Sequence, residues 1–167
     1  DFIPLLLKPY GDSIVLRWGS NHPELHYKTL EMGYKIVRTD EDGKRDTIAF
    51  VKPYTREKMS AGLVENDSMA LVAAQLLYGK KNYAPDDATQ YDADYRNSFS
   101  FALYAADRSA LAANILGLRY ADTDVIVGKT YTYKLYTEAT DYNNSTANLI
   151  SPCFDLSGAS NPVFSFY

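Results

Sequence analysis

The 167-residue sequence has one cysteine, one tryptophan and two histidines. Cys153 alone cannot close an internal disulfide or build a thiolate metal site. No apolar run approaches the ~20 residues of a bilayer-spanning helix. Basic runs are missing too, and the net charge of −4 argues against nucleic acid as the main partner. There is no internal repeat and no low-complexity tract. Neither a nucleophile elbow nor a glycine-rich phosphate loop occurs, so the sequence points away from an enzyme and calls for no cofactor. With 46% hydrophobic and 23% charged residues, the chain is not of disordered composition and has the size of one domain.

Tyrosine is abundant: fifteen, against seven phenylalanines. Rings with a polar tip suit half-buried strand faces and contact surfaces. The chain starts at Asp1 and stops on the alternating run Phe164-Ser165-Phe166-Tyr167, whereas natural termini are more often polar and frayed. A cleaved leader or a fragment of a longer chain is expected. Sequons lie at Asn66, Asn143 and Asn144.

Hydrophobic periodicity divides the chain into strands, helices and strands again. Residues 2–8 end in the turn cluster Pro9-Tyr10-Gly11-Asp12. In the next run Ile14, Leu16 and Trp18 share one face, opposite Val15 and Arg17. A helical turn or two is expected between His22 and Gly33. Tyr34, Ile36 and Arg38 then alternate with Lys35, Val37 and Thr39, and the Asp42-Gly43 turn leads into a fourth strand over residues 45–51. The period becomes helical at Met69, Val72, Ala73, Leu76 and Leu77, with Asn66 or Asp67 as N-cap and Gly79 as stop. Residues 80–93 read as a loop. A second helix is expected from near Asp94 and a third from Ser109 to Leu116, capped by Asp107 or Ser109. Past Gly128 the period returns to two, with Tyr131, Tyr133 and Leu135 facing one way. A last extended segment, 147–167, completes the fold or leads into a following domain.

These strands resemble those of a fibronectin type III module. Ile14-x-Leu16-x-Trp18 looks like its second strand, Gly33-Tyr34-Lys35-Ile36-Val37-Arg38 its third and Gly128-Lys129-Thr130-Tyr131-Thr132-Tyr133-Lys134-Leu135 its sixth. The resemblance implies that Tyr131 is a tyrosine-corner residue, its hydroxyl bonded to nearby backbone. It covers residues 1–51 and 125–150. The middle departs from it, so a helical insertion at about 55–122 is expected. Val72-Ala73-Ala74-Gln75-Leu76-Leu77-Tyr78-Gly79 and Leu116-Gly117-Leu118-Arg119-Tyr120 resemble runs in such inserts of large exported Bacteroidetes surface proteins. The triplets Asp12-Ser13-Ile14, Asp46-Thr47-Ile48 and Asp67-Ser68-Met69 resemble the O-glycosylation acceptor pattern of that group. The resemblance implies an extracellular or cell-surface location and binding or spacing work.

Four sets of side chains are candidates for chemistry. His22 and His26, four apart, share a helix face and suit zinc, but no third ligand lies at a motif spacing; an exposed polar connection is the plainer reading. Asp86, Asp87, Asp92 and Asp94 form an acidic loop, with Asp122 and Asp124 a second pair. Calcium at Asp92 and Asp94 is the metal expectation, against a solvated, helix-capping loop. Cys153, between Pro152 and Phe154, reads as a small buried hydrophobe rather than a nucleophile. Tyr78, Tyr83, Tyr91, Tyr95 and Tyr104 gather around the 80–93 loop. Four of them, Tyr78, Tyr83, Tyr91 and Tyr95, are the candidate ligand-binding set; otherwise these rings are lids on a helical subcore.

The expected fold is mostly β: a single fibronectin type III-like β-sandwich over residues 1–167 with a three-helix insert, its core including Trp18, Ile36, Tyr131, Tyr133 and Leu135. The expected function is a non-catalytic adhesion, spacing or assembly module of a larger exported protein. Its partners are other domains of that protein or a surface protein, with no nucleic acid and no membrane span. The alternative is a carbohydrate-binding module that meets glycan through the insert tyrosines.

Overall fold

Alternation of apolar and polar residues sets the first pairing. β1 (Leu5–Pro9) lies antiparallel to β2 (Ile14–Trp18), with Leu5 opposite Trp18 and Leu7 opposite Leu16, all four facing inward. The computed structural model describes residues 3–59, 61–79, 88–139 and 148–152. On the other edge of β2 sits β5 (Arg119–Asp122), giving a three-stranded sheet in the order β1-β2-β5.

A second sheet is built around β3 (Tyr34–Asp40), which pairs with β4 (Arg45–Val51) on one side and β6 (Thr130–Tyr136) on the other. β7 (Asn148–Pro152) adds to β6, so the order is β4-β3-β6-β7, all antiparallel. The inner faces of the two sheets share one core. Trp18, Ile36, Tyr131, Tyr133 and Leu135 are each 4% exposed or less, and Trp18 meets Tyr34 edge-on at 5.5 Å between ring centroids.

Between β2 and β3 runs α1 (Pro23–Met32), longer than the expected turn or two. His22 caps it, its Nδ1 accepting from the Glu24 amide at 3.3 Å, and Pro23 opens the first turn, where its missing N–H costs nothing. The remaining helices lie between β4 and β5: α2 (Ala61–Val64), α3 (Ser68–Tyr78), α4 (Ala88–Arg108) and α5 (Ala110–Ile115). Ala70, Ala73, Ala102, Ala105, Ala106, Ala112 and Ala113 are all buried, and their small side chains let α3, α4 and α5 pack closely. One carboxylate joins two helix starts. Asp67 Oδ1 accepts from the Met69 and Ala70 amides at 3.0 and 2.9 Å, while Oδ2 accepts from the Ser109 hydroxyl at 2.6 Å. Ser109 Oγ in turn accepts from the Ala112 amide at the head of α5. The Ser109 hydrogen bond, followed by that of the Ala70 amide, holds the Asp67 carboxyl below its ordinary pKa.

The segments that leave β4 and return to β5 touch. The Tyr54 amide donates to the Ile115 carbonyl at 2.9 Å. Gly117, at φ +68°, turns where a Cβ would stand 2.7 Å from the Lys52 carbonyl carbon and the Pro53 nitrogen. The chain thus closes a neck between β4 and β5, the helices' buried alanines join the same core as the sheets, and Arg17 adds a tie from β2 to the end of α4. Arg17 Nε donates to the Ala106 carbonyl at 3.3 Å and Nη2 to Asp107 at 3.0 Å, a cation placed at the C-terminal end of α4.

Three sequence expectations change. Helix exceeds strand among the described residues, so the chain is mixed α and β rather than mostly β. The insertion ends before Arg119, not near 122, because Arg119–Asp122 is a strand paired with β2. α4 begins at Ala88, so residues 88–93 are helix and not loop. The last strand occupies Asn148–Pro152, and the rest of the 147–167 segment lies outside the described residues.

Candidate functional site

The tyrosines expected around one loop divide among three places. Tyr91 and Tyr95, one turn apart on α4, are stacked at 6.1 Å and 22°. Tyr95 stacks on Tyr27 of α1 at 4.4 Å and 27°, and the Tyr27 hydroxyl donates to the Tyr95 carbonyl at 3.0 Å. Tyr91 ends this column with 54% of its surface exposed. Burial, then the negative field of Glu24, raises the Tyr95 pKa. Tyr78 is elsewhere: its hydroxyl donates to the Tyr54 carbonyl and Arg56 lies over its ring at 4.9 Å. Tyr104 carries Arg108 over its ring at 5.3 Å. Tyr83 lies outside the described residues. The member that sequence reasoning missed is Tyr27. It sits beside His26, but only the tertiary contact between α1 and α4 brings it to Tyr95.

His26 is buried, 2% exposed, contrary to the expected open connection, whereas His22 is exposed. The His26 ring meets Tyr27 at 5.3 Å and Phe99 at 5.4 Å, and its Nδ1 has no hydrogen-bond partner among the described residues. Burial, followed by the positive charge of Arg17, lowers its pKa to about 4. His22 accepts through its own Nδ1 at the helix cap, on the exposed side of the helix start. Asp92 and Asp94 are two residues apart on α4, a spacing that turns side chains away from each other, and Asp92 pairs with Arg96 at 3.1 Å. That arrangement replaces the expected calcium loop. Among the described residues no three His, Cys, Asp or Glu side chains are grouped to hold a metal ion. Asp86, Asp87 and Cys153 lie outside the described residues.

Asp122 and Asp124 do structural work between the sheets. Asp122, 2% exposed, accepts from Arg38 Nη1 at 2.9 and 3.2 Å, from the Tyr133 hydroxyl at 2.8 Å and from the Asp124 amide at 3.1 Å. Arg38 also reaches Asp124 Oδ2 at 3.2 Å and lies over the Tyr131 ring at 5.2 Å. Burial opposes the Arg38 charge, but its bond to Asp122 and that carboxylate's field outweigh it, so the guanidinium pKa ends raised. The Tyr131 hydroxyl accepts from the Ile126 amide at 3.0 Å, a tie from the start of β6 to the preceding loop.

An open groove of about 220 Å³ runs between β1 and α4, lined by Pro4, Leu6, Trp18, Gly19 and Leu103. Its titratable groups are Arg17 and Asp107, which pair with each other at 3.0 Å. No helix among the described residues is long and apolar enough to cross a membrane. Compared with protein-family models and with curated protein sequences, the chain matches none.

Proposed function

We propose that the chain is a non-catalytic adhesion, spacing or assembly module of a larger exported, cell-surface protein, built as a fibronectin type III-like sandwich with a helical insert. The strand order carries this reading. β1-β2-β5 facing β4-β3-β6-β7 is the arrangement such a module has, with the helices entering between its fourth and fifth strands. Trp18 in the second strand and the Tyr131 hydroxyl bonded to backbone five residues upstream support it further. Fold alone does not fix function, so location and role need their own test. Protease shaving of intact cells that make the parent protein should release a resistant fragment holding both sheets and the insert. Recovery of that fragment only after lysis contradicts the proposed location, and digestion within the strands contradicts a self-contained module.

A second reading, a neutral-glycan site, is favoured by the column Tyr27–Tyr95–Tyr91, whose outermost ring is half exposed. The charged pairs Glu24–Lys28 and Asp92–Arg96 lie on the same two helices. Aromatic faces with polar neighbours stack on sugar rings. Binding to an uncharged glycan panel that Tyr91→Ala abolishes supports this reading, and a folded protein that binds none contradicts it.

A further inference from the structure

The charged side chains of the second sheet are sorted by face. Ile36, Arg38, Tyr133 and Leu135 point inward, so their neighbours along β3 and β6 point out. The register then places Phe50, Lys35 and Tyr136 in one outward row across β4, β3 and β6. The next row is Thr47, Val37 and Lys134, in which Val37 is itself buried at 4% exposed, and the third is Arg45, Thr39 and Thr132. Lys52, one residue past β4, lies over the Phe50 ring at 5.6 Å. Lys35 and Arg45 both lie over the Tyr136 ring, at 5.4 and 5.9 Å, and Arg45 donates to the Tyr136 hydroxyl at 2.7 Å.

Lys35, Arg45, Lys52 and Lys134 thus share one sheet face, and none of them meets a carboxylate among the described residues. At the hairpin end Asp46 pairs with Lys44 and Glu41 with Lys129, and the exposed carboxylate next to the face is Glu138, just past the end of β6. Like charges gathered on a sheet face repel, and here they gather on a chain whose net charge is −4. Phe50, 63% exposed, stands among them.

We propose that this outer face of β4, β3 and β6 is a binding site for an acidic polysaccharide, a glycan that carries uronate carboxylates or sulfate esters. Lys35 lies diagonal to Lys134 across β6 and to Lys52 past the end of β4, about 7–8 Å from each at the strand surface, so anionic groups along one glycan chain meet more than one cation. Phe50, 63% exposed with Lys52 over its ring, adds apolar surface for a sugar beside that cation. The face does not fit a protein partner, because protein interfaces need an apolar centre and are depleted in lysine. It does not fit single-stranded nucleic acid either, which needs several exposed rings in succession. The register alone sorts these charges, so the proposal stands apart from the family resemblance and from the tyrosine column.

The test is titration of the whole chain with polygalacturonate, dextran sulfate, unsubstituted dextran and polyglutamate, at low and high salt. Saturable binding to polygalacturonate or dextran sulfate, weakened by salt, is expected, and the better of the two identifies the anionic group. Lys35→Gln with Lys134→Gln should weaken it about tenfold, two charge contacts being lost. Phe50→Ala should weaken it as well, whereas Lys28→Gln on α1 should not. Melting curves establish that each variant is folded, and Arg45→Gln serves where the double variant is not. Absence of binding at low salt overturns the proposal. So do equal binding of polyglutamate or unsubstituted dextran, and unchanged affinity in the folded lysine variant.

Discussion

Replacing Asp122 by alanine removes a buried carboxylate that joins the two sheets through Arg38 and Tyr133. The loss can be worked from its partners. Arg38, with 13% of its side chain exposed, keeps Asp124 at 3.2 Å but loses a contact at 2.9 Å. Tyr133, fully buried, loses the carboxylate that accepts from its hydroxyl at 2.8 Å. Breaking a buried ion pair from one side costs about 3–5 kcal/mol, and the hydrogen bond lost from the Tyr133 hydroxyl about 1 kcal/mol more. Asp124 offsets part of the first, so a net loss of about 4 kcal/mol is expected, or a melting temperature lower by about 10 °C for a chain of this length. Tyr133→Phe alone should cost about 1 kcal/mol. In the double variant the two losses should not add, because both act on one network. Equilibrium urea unfolding of the wild type, both single variants and the double measures all four corners. A loss below about 1 kcal/mol for Asp122→Ala, with Tyr133→Phe additive to it, refutes the inter-sheet network.

His26 gives a pH dependence of known sign. The unfolded ring takes its proton near pH 6.5, while the folded ring, buried beside Arg17, holds off until about 4. Stability from this group is therefore complete above the unfolded value and is lost as pH falls from 6.5 towards 4, by about 3 kcal/mol in all. A His26→Gln protein should lack that component, seen as the difference between the two stability–pH curves; parallel curves contradict it. Trp18→Ala should cost ~3–5 kcal/mol through the cavity left against Tyr34, and an unchanged melting temperature contradicts its place in the core. Gly117→Ala puts a Cβ 2.7 Å from the Lys52–Pro53 backbone at a positive φ. A loss of about 2 kcal/mol or more is expected by thermal unfolding, and a neutral result contradicts the closed neck.

Local signals located most strands and the capped helices. Period-two alternation marks β2, β3 and β6, and Asp67, Ser109 and Gly79 bound α3 and α5. β5 escaped because four residues, three of them half-buried, carry no alternation and follow a glycine turn; only pairing with β2 makes them a strand. The start of α4 escaped because Ala88-Thr89-Gln90-Tyr91-Asp92 is polar and has no apolar stripe to declare the period. His26 looked exposed beside Pro23 and Glu24, yet its burial comes from Phe99, far along the chain. The Arg38–Asp122 pair spans 84 residues, and the basic face draws Lys35, Arg45 and Lys134 from three strands. Their outward direction was legible strand by strand, but their assembly required the register.

After β4 the chain leaves the second sheet at Val51, passes through the helices and rejoins the first sheet at Arg119. Cross-strand nuclear Overhauser contacts test this directly. The account predicts contacts of Leu16 with Tyr120 and of Val15 with Ala121 in one sheet, and of Arg38 with Tyr133 in the other. Contacts that instead set Tyr120 beside Phe50, making β5 the direct neighbour of β4, contradict it.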